Sequence, residues 1–458
     1  MAEAVNYKQI GSSPIRPDGV DKVTGRARFG ADLILPNMIH GRVLRSPHAH
    51  ARISRIDVSA ALAMDGVFAA ICGKDFQDIH DASAVGGEGG GTVEDAAKNV
   101  MARDKVLYHG HAVAAVAASN PLLAEAALEA IEVEYEILSP VLDLVSAMAD
   151  DAVLVDETNY TKGPKKADKP SNVANVGRLA RGDLAAGFAQ ADITIEREYK
   201  VPMAHQGYIE PHACVANIDE TGRGSVWCCT QGHFEFRGIT AKILGKDMSD
   251  LKFIASEIGG GFGGKTVVYL EPLAVLLSEK SGRPVKMTMT REDVFRATGP
   301  TSATVARIKL GVRNDGKITA ADAWIAFEAG AFAGAPHMPG IMTMFAPYDI
   351  EHFAVEGFDV LLNKPKVAAY RAPGAPQAMH AMECALDEAA LALAMDPIDI
   401  RMVNAAEEGT QAPYGPKFPI IGFKACLEAA KVHPNYLKPV PQGAGRGVAA
   451  GFWFNVGM

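Results

Sequence analysis

The sequence predicts an α+β fold, and three of its features lead to this prediction. Short runs of β-branched and other apolar residues recur along the chain, and their length is typical of strands. Stretches rich in Ala, Leu and Glu lie between these runs and favour helices. Glycine and proline number 45 and 26, and they separate the runs in the way that turns and loops do.

The composition indicates a globular protein with more than one domain. The 458 residues correspond to two or three domains of ordinary size. The fractions of hydrophobic residues (48%) and charged residues (22%) are close to the average for globular proteins. The net charge of −9 argues against nucleic acid or an anionic membrane as the main partner, because both attract basic surfaces.

The sequence also predicts a cytoplasmic location. The N-terminal segment lacks the apolar core of a secretory signal, and no apolar run reaches the length of a transmembrane helix. The six cysteines are scattered without a C-x-x-C pair, so reduced thiols are expected. The same scatter predicts that this chain alone holds no iron–sulfur cluster, since such a cluster normally needs several grouped thiolates.

A first domain is predicted over residues 1–150. Its strands are expected over residues 38–43, 53–58, 66–72, 112–117 and 131–137. A helix is expected over residues 121–130, because a proline is followed there by Ala, Leu and Glu. The Lys- and Pro-rich composition that follows predicts a linker over residues 151–172.

A second domain is predicted over residues 173–435. Its clearest strands and helices are expected over residues 224–229 and 251–258, and over residues 234–244, 271–279 and 377–394. The three helices are followed by Gly or Asp-Pro, which are common at helix ends. In the last segment, residues 436–458, the apolar stretch 447–454 is predicted to be a strand that needs a partner to cover it.

Residues 259–266, with the sequence GGGFGGKT, are the clearest candidate binding site. They match the pattern G-x-x-x-x-G-K-[ST] of a phosphate-binding loop. Their glycines allow backbone N–H groups to approach a phosphate or a pterin closely. A phenylalanine in the middle of the loop argues against a nucleotide, as does the lack of a following strand that ends in Asp. A cofactor site, a nucleotide site and a plain turn all remain open on this evidence.

Other segments offer polar side chains to a site. Arg371 lies in a stiff Pro-rich loop, where it either pairs with an anion or satisfies loop carbonyls. Gln231 follows a predicted strand, where an amide points either into a cleft or into solvent. Glu210 precedes a proline and is either a base or a buried structural acceptor. His212 and His233 lack the spacing of a metal site, so packing or surface roles are expected.

Several motifs, in this order along the chain, resemble a known family: residues 18–32, residues 45–53, Thr230-Gln231 with residues 259–265, and residues 369–377. The later motifs resemble the molybdenum-binding subunit of the xanthine dehydrogenase/aldehyde oxidase family. The first two resemble that family's a/b hammerhead domain. The resemblance covers nearly the whole chain, so the sequence is identified as a member of this family.

The resemblance implies the nature of each domain and of the cofactor. Residues 1–150 correspond to the a/b hammerhead domain, and residues 173–435 to a molybdopterin-binding domain. Residues 436–458 correspond to the start of a second molybdopterin-binding domain, which a partner chain would complete. The implied cofactor is a molybdenum–pterin group in the form of molybdopterin cytosine dinucleotide.

The resemblance also implies which residues contact this cofactor. Gln231 matches the glutamine whose amide hydrogen-bonds the oxo group of the molybdenum, and it is the one residue with an implied catalytic role. The other implied contacts are Gly261, Phe262, Gly263, Gly264, Arg371 and Ala372. No side chain of this chain is implied to be a metal ligand.

Three positions depart from members of the family with known substrates. Purine-oxidising members carry a glutamate directly after the loop lysine, where this chain has Thr266. They also carry an arginine a short distance before the tyrosine that matches Tyr348, and Pro339 occupies that position. Carbon monoxide dehydrogenases carry a copper-binding cysteine where this chain has Ala372. Neither xanthine oxidation nor a molybdenum–copper site is therefore expected.

The family's subunit is longer than this chain, and its catalytic glutamate lies near the far end. The resemblance thus implies a second molybdopterin-binding subunit that carries this glutamate, as in the split arrangement of nicotinate dehydrogenase. A [2Fe-2S] subunit and an FAD subunit are further expected partners, whereas nucleic acid and a membrane span are not expected.

The predicted function is that of one subunit of a cytoplasmic molybdenum hydroxylase. The complex would oxidise an aldehyde or hydroxylate an aromatic N-heterocycle, with water as the oxygen source. Electrons would pass to the Fe–S and FAD subunits. Two alternatives remain: a P-loop NTPase that uses residues 259–266, and a non-catalytic assembly subunit.

Overall fold

The computed structural model describes residues 7–85, 91–164 and 167–454. The strands within these ranges are β1 (Ile39–Arg45), β2 (Ala51–Asp57), β3 (Val67–Cys72), β4 (Lys105–Val106), β5 (Ala112–Ala118), β6 (Glu132–Ile137), β7 (Val173–Arg181), β8 (Ile193–Val201), β9 (Ala213–Ile218), β10 (Gly224–Cys228), β11 (Leu251–Ala255), β12 (Val285–Thr288), β13 (Thr304–Val312), β14 (Ile318–Gly330) and β15 (Phe353–Leu361).

The α-helices in the same ranges are α1 (Gly19–Val23), α2 (Ser59–Leu62), α3 (Val93–Val100), α4 (Pro121–Glu129), α5 (Leu144–Ala147), α6 (Leu184–Phe188), α7 (His233–Leu244), α8 (Glu271–Ser281), α9 (Arg291–Ala297), α10 (His337–Met344), α11 (Ala375–Ala392), α12 (Pro397–Asn404), α13 (Phe423–Lys431) and α14 (Pro434–Leu437). Short 3₁₀ helices span Gly73–Asp75, Met248–Asp250 and Gly264–Thr266. Among the described helices, none combines the length and the apolar character that crossing a bilayer requires.

The largest sheet, sheet A, contains strands from both of the predicted domains. Its order is β11-β10-β9-β12-β1-β5-β3. Strand β1 pairs in parallel with β12 and antiparallel with β5, so β1 joins the two groups of strands. Helices α3, α7 and α8 pack on sheet A and share one buried apolar cluster with it. The predicted domain boundaries remain predictions, since one continuous sheet includes strands from both sides of them.

Two smaller sheets complete the fold. Sheet B has the order β7-β15-β14-β13-β8, and the side chains of α10 and α11 belong to its apolar core. Strands β14 and β15 run parallel, whereas the other pairs of sheet B are antiparallel. Among the described strands, sheet C consists of β4, β2 and β6. This mixture of parallel and antiparallel strands with packed helices confirms the predicted α+β class.

The strands and helices predicted within residues 38–394 are confirmed, with shifts of a few residues at their ends. The strand expected over residues 112–117 is β5, which is fully buried because it lies between β1 and β3. The helix expected over residues 377–394 is α11, which begins two residues earlier because Gly374 and Pro376 form its start. Pattern and turn residues therefore located the long elements well.

The predicted strand over residues 447–454 is wrong. Residues 447–454 have no regular secondary structure and belong to no sheet, and they lie beside α11 instead. The backbone N–H of Ala450 donates to Glu383 Oε2 at 2.7 Å, and that of Phe452 donates to Met379 Sδ at 3.2 Å. These donors have side-chain acceptors on a helix, so the segment is paired without a neighbouring strand.

The segment predicted as a linker is partly packed. Val155 is 0% exposed, and its N–H donates to Asn172 Oδ1 at 2.9 Å. The amide nitrogen of Asn172 donates to the carbonyls of Ala147 and Val153. The buried Asn172 thus forms hydrogen bonds with backbone groups of residues 147, 153 and 155. In a flexible linker these backbone groups would be hydrated instead.

A pH dependence of stability follows from Glu271, which is 2% exposed at the start of α8. Burial raises the pKa of this carboxyl from 4.5 to about 7. The stability that the protonated carboxyl provides is fully present below pH 4.5 and is lost as the pH rises through 7. We expect Glu271→Gln to be more stable than the wild type above pH 7, by roughly 3 kcal/mol at most.

Urea unfolding at pH 5, 6, 7 and 8 measures this effect. The control is Glu129→Gln, an exposed position at the end of α4 that should leave the profile unchanged. Parallel pH profiles for the wild type and Glu271→Gln would contradict the assigned role of burial.

Candidate cofactor-binding site

The candidate site lies at the carboxyl ends of two neighbouring strands. Strands β10 and β11 are parallel and paired, so the segments that follow them leave the same edge of sheet A. Gln231 follows β10, and the glycine loop (residues 259–265) follows β11. Ligands of sheets with parallel strands commonly bind at this edge. The arginine loop (residues 369–374) reaches the same place from sheet B and leads into α11.

Gln231 is held by the glycine loop through its amide oxygen. Oε1 of Gln231 accepts hydrogen bonds from the N–H of Gly263 at 2.9 Å and the N–H of Lys265 at 3.3 Å. The backbone N–H of Gln231 donates to the carbonyl of Lys265 at 3.0 Å. Two N–H donors require the amide oxygen on their side, which fixes the orientation of the amide. Its NH₂ group is left without a partner among the described residues and is free to donate.

Gly261 lies against Gln231 so closely that no side chain fits. A Cβ atom on Gly261 would lie 2.4 Å from Gln231 Oε1. Gln231 cannot withdraw, because its oxygen and its backbone are both bound to the loop. The glycine at this position is therefore required by the position of the Gln231 amide.

The arginine loop contacts the glycine loop through its backbone. The N–H of Arg371 donates to the carbonyl of Phe262 at 3.1 Å. Both residues have positive φ, 32° for Arg371 and 53° for Phe262, and Ala372 has φ of 64°. Residues other than glycine rarely adopt backbone conformations with positive φ, and such strain tends to occur at functional sites. The exposed guanidinium of Arg371 has no partner among the described residues.

The interpretation of residues 259–266 as a nucleotide-binding P-loop is wrong. In a P-loop the lysine reaches the bound phosphates. Here Lys265 is 0% exposed, and its Nζ donates to Glu210 Oε2 at 2.6 Å beneath the loop. The α-helix that should start at the lysine begins only at Glu271. The lysine is thus part of the protein interior and cannot contact a nucleotide.

A chain of largely buried hydrogen bonds includes Tyr208, whose side chain lies close to Gly260 and Gly264 of the glycine loop. The hydroxyl of Tyr208 contacts His212 Nε2 at 2.8 Å and Thr298 Oγ1 at 3.0 Å, and His205 Nε2 contacts the same threonine at 2.8 Å. Burial lowers the pKa of His205 to about 4 and that of His212 well below its usual range. Burial also raises the pKa of Tyr208 to about 12. All three side chains are therefore uncharged near neutral pH, and the expected packing role of His212 agrees with this.

A cavity of about 480 Å³ lies beside the arginine loop. Ala369 and Pro373 form the wall toward the loop, and Pro339 and Trp453 contribute apolar surface. His337 also lines the cavity, and its Nδ1 contacts the carbonyl of Ala335 at 3.1 Å. The cavity is thus mainly apolar and adjoins the loops.

The structure brings together all of the predicted site residues. Gln231 contacts Gly261 and Gly263, Phe262 contacts Arg371, and Gly264 and Ala372 lie in the same two loops. The sequence did not reveal Gln206, whose Nε2 donates to the carbonyl of Ala369 at 2.8 Å and so supports the arginine loop. No local pattern marks such a residue, because its partner is far away in the sequence.

Comparison with protein families matches both parts of the chain. Residues 24–139 match the model described as "Aldehyde oxidase and xanthine dehydrogenase, a/b hammerhead domain". Residues 165–405 match the model described as "Molybdopterin cofactor-binding domain". These two models together cover most of the chain, including every predicted site residue.

Individual relatives agree with these matches. The chain is 32% identical over 417 residues to the nicotinate dehydrogenase large molybdopterin subunit of Eubacterium barkeri, covering 90% of this chain and 92% of that one. It is 32% identical over 395 residues to a probable xanthine dehydrogenase polypeptide of Bacillus subtilis, covering 86% of this chain and 50% of that one.

Solved structures give the same picture. Quinoline 2-oxidoreductase from Pseudomonas putida 86 matches with a TM-score of 0.82 at 27% identity, covering 93% of this chain and 54% of that one. The aldehyde oxidoreductase from Desulfovibrio gigas matches with a TM-score of 0.81 at 27% identity, covering 91% of this chain and 45% of that one. The chain spans about half the length of these proteins, whereas it spans nearly all of the nicotinate dehydrogenase subunit.

A substitution at Gly261 tests the packing of the site. We expect Gly261→Ala to displace the Gln231 amide, because the added Cβ would lie 2.4 Å from Oε1. Overpacking of this kind costs about 1–3 kcal/mol. The variant should therefore melt at a lower temperature and retain less molybdenum, as measured by calorimetry and by elemental analysis.

Gly422→Ala is the matched control, because its φ is −98° and a Cβ there would meet nothing within 4 Å. It should behave like the wild type in both measurements. Equal molybdenum content in Gly261→Ala and Gly422→Ala would contradict the tight contact at Gly261.

Proposed function

Because the chain belongs to the xanthine dehydrogenase/aldehyde oxidase family of molybdenum enzymes, we propose that it is the cofactor-holding part of a molybdenum hydroxylase. The enzyme oxidises an aldehyde or hydroxylates an aromatic N-heterocycle, with water as the source of oxygen. One observation carries this proposal. The Gln231 amide is oriented by two loop N–H groups, and its own NH₂ remains free, among the described residues, at the junction of the two loops.

The residues present fit a molybdenum–pterin group. A pterin with its phosphate is rich in hydrogen-bond acceptors, and the Gln231 NH₂ group and the Arg371 guanidinium are donors without partners among the described residues. The missing side chain at Gly261 allows the Gln231 amide to lie directly against the backbone of the glycine loop. We propose that the group is the cytosine dinucleotide form, for which the unpaired charge of Arg371 is a suitable phosphate partner.

The bound group supplies the two-electron oxidation of a substrate carbon. The protein's own part is to bind and orient this group. Gln231 donates from its amide nitrogen, in an orientation that is set before the group binds. Phe262, which is 48% exposed, presents an apolar ring at the tip of the glycine loop. Arg371 contributes a positive charge from the arginine loop.

The substrate is proposed to be an aldehyde or a pyridine-type ring, not a purine. The hydroxyl of Thr266 donates back to the carbonyl of Gly263 at 2.7 Å, so this position offers no negative charge to a ligand. Pro339 lines the apolar cavity and offers no positive charge. Ala372 provides no thiol for copper, which argues against carbon monoxide as a substrate. Polar ring substituents would thus lack charged partners at these positions.

Further subunits are proposed to complete the enzyme. The chain spans 50% of the xanthine dehydrogenase relative in Bacillus subtilis and 92% of the nicotinate dehydrogenase subunit. On the similarity to the nicotinate dehydrogenase large molybdopterin subunit, we propose the split arrangement, in which a second molybdopterin-binding polypeptide carries the catalytic glutamate. A [2Fe-2S] subunit and an FAD subunit receive the electrons, and the complex is cytoplasmic.

Co-expression of the chain with the genes next to it tests this assignment. The purified complex should contain molybdenum and at least one further molybdopterin-binding polypeptide. It should oxidise benzaldehyde or nicotinate, and it should turn over xanthine negligibly, because Thr266 and Pro339 lack the charges that hold a purine. Steady-state oxidation of each compound with a dye acceptor measures the preference. Rapid xanthine oxidation would contradict the substrate assignment, and tight Mg-ATP binding without molybdenum would contradict the function itself.

Variants of Gln231 test its proposed role. Gln231→Ala removes both the oxygen that holds the loop and the NH₂ that donates to the cofactor. Gln231→Glu keeps the acceptor for Gly263 and Lys265 but removes the donor. One oriented donor contributes about 3 kcal/mol, or on the order of 10²-fold in rate. We expect kcat per bound molybdenum to fall by that factor in both variants.

The molybdenum content distinguishes the two functions of the side chain. It should stay closer to the wild-type value in Gln231→Glu, because the loop N–H groups keep their acceptor there. A glutamine that only supports the start of α7 would instead lower stability and leave the rate per molybdenum unchanged. That result would remove Gln231 from the site.

A further inference from the structure

The carboxylate of Glu210 accepts three hydrogen bonds, one from the N-terminal segment and two from the glycine loop. Its Oε1 accepts from the N–H of Gly30 at 3.0 Å, and its Oε2 accepts from the N–H of Gly259 at 2.7 Å. Nζ of Lys265 donates to the same Oε2 at 2.6 Å. Gly259 and Lys265 are the first and last residues of the glycine loop. One carboxylate therefore connects both ends of this loop.

The ion pair between Glu210 and Lys265 is almost completely removed from water. The Lys265 side chain is 0% exposed and that of Glu210 is 9% exposed. Lys265 also lies with Nζ 5.0 Å from the centre of the Tyr208 ring. A buried ammonium needs a counter-charge, and Glu210 is the carboxylate that supplies it. The occupation of Glu210 by these donors also argues against a role as a base.

The third donor connects the loop to the N-terminal segment. Gly30 belongs to residues 28–30, which run beside Glu257 just before the glycine loop. The N–H of Glu257 donates to the carbonyl of Arg28 at 3.0 Å, and Phe29 forms a bridge with Glu257. Lys22 pairs with the carboxylate of Glu257. Residues 22–30 thus contact the segment from which the loop starts.

We propose that Glu210 is a positioning residue for the cofactor site. With Lys265, it fixes the separation of the two ends of the glycine loop, and through Gly30 it fixes the loop to the N-terminal segment. The residues between the two ends, including Gly261 and Gly263, are thereby held where they meet Gln231 and the arginine loop. This inference rests on the proposed function of that site as a holder of the molybdenum–pterin group.

A charge-free double variant separates positioning from stability. In Glu210→Gln the Lys265 ammonium stays buried without a counter-charge, so the protein should melt at a lower temperature and lose cofactor. In Glu210→Gln/Lys265→Met no charge is buried, so thermal stability should recover towards the wild type. The loop ends remain unconnected in this double variant. We expect molybdenum per folded chain to stay on the order of 10-fold below wild type.

Hydrogen exchange gives a second measurement that needs no cofactor. In the cofactor-free chain, the amides of residues 259–265 should exchange faster in the double variant than in the wild type. The matched control is Glu383→Gln/Arg401→Met, which removes an ion pair of similar burial, at 6% and 0% exposed. That pair lies between α11 and α12 and has no hydrogen bond to the glycine loop. Exchange in residues 259–265 should be unchanged in this control.

The outcomes separate this inference from the function on which it rests. Restored stability together with normal loop exchange in Glu210→Gln/Lys265→Met would overturn the positioning role. Restored stability together with wild-type molybdenum content would overturn it as well. A wild-type complex that contains no molybdenum would instead contradict the proposed function, while the exchange measurement would still decide whether Glu210 holds the loop.

Discussion

The backbones of the glycine loop and the arginine loop touch each other, and the geometry of the site depends on this contact. Gly263 has φ of 98°, and a Cβ on it would lie 2.6 Å from the carbonyl oxygen of Ala369. A glycine is the residue that satisfies both the conformation and the space. Because one loop leaves sheet A and the other leads into α11 on sheet B, their contact fixes the two halves of the site relative to each other.

The buried ion pair and the exposed hydrogen-bond donor of the site lie in different places. Below the glycine loop, the positive charge of Lys265 is neutralised by Glu210 and is hidden from any ligand. At the surface of the loop, Gln231 offers an uncharged amide whose direction is already set. Arg371 adds a positive charge that no described residue neutralises. A preorganised donor of this kind stabilises developing negative charge without further rearrangement, which suits an oxidation in which electrons leave the substrate.

The N-terminal region is part of the site as well as part of the fold. Strand β1 pairs with β12 in the middle of sheet A, so the first strands share a hydrophobic core with the strands that carry the glycine loop. Gly30 extends this connection to Glu210. The region that matches the hammerhead domain thus contacts the residue that binds the glycine loop of the region that matches the molybdopterin-binding domain.

The sequence by itself determined the class of fold, the long elements and the residues of the two loops. Residues 251–258 and 377–394 show periodicity and end signals that depend only on neighbouring residues, and β11 and α11 occur there. The tertiary structure alone decided what the lysine of GGGFGGKT does. The motif matches a phosphate-binding loop, but its lysine pairs with Glu210, which lies 55 residues away in the sequence. It also decided that residues 447–454 form no strand: the N–H groups of Ala450 and Phe452 donate to side chains of α11 instead of to a neighbouring strand. Local pattern specifies backbone conformation, whereas the partner of a buried charge or a free N–H group depends on which distant segment the fold brings beside it.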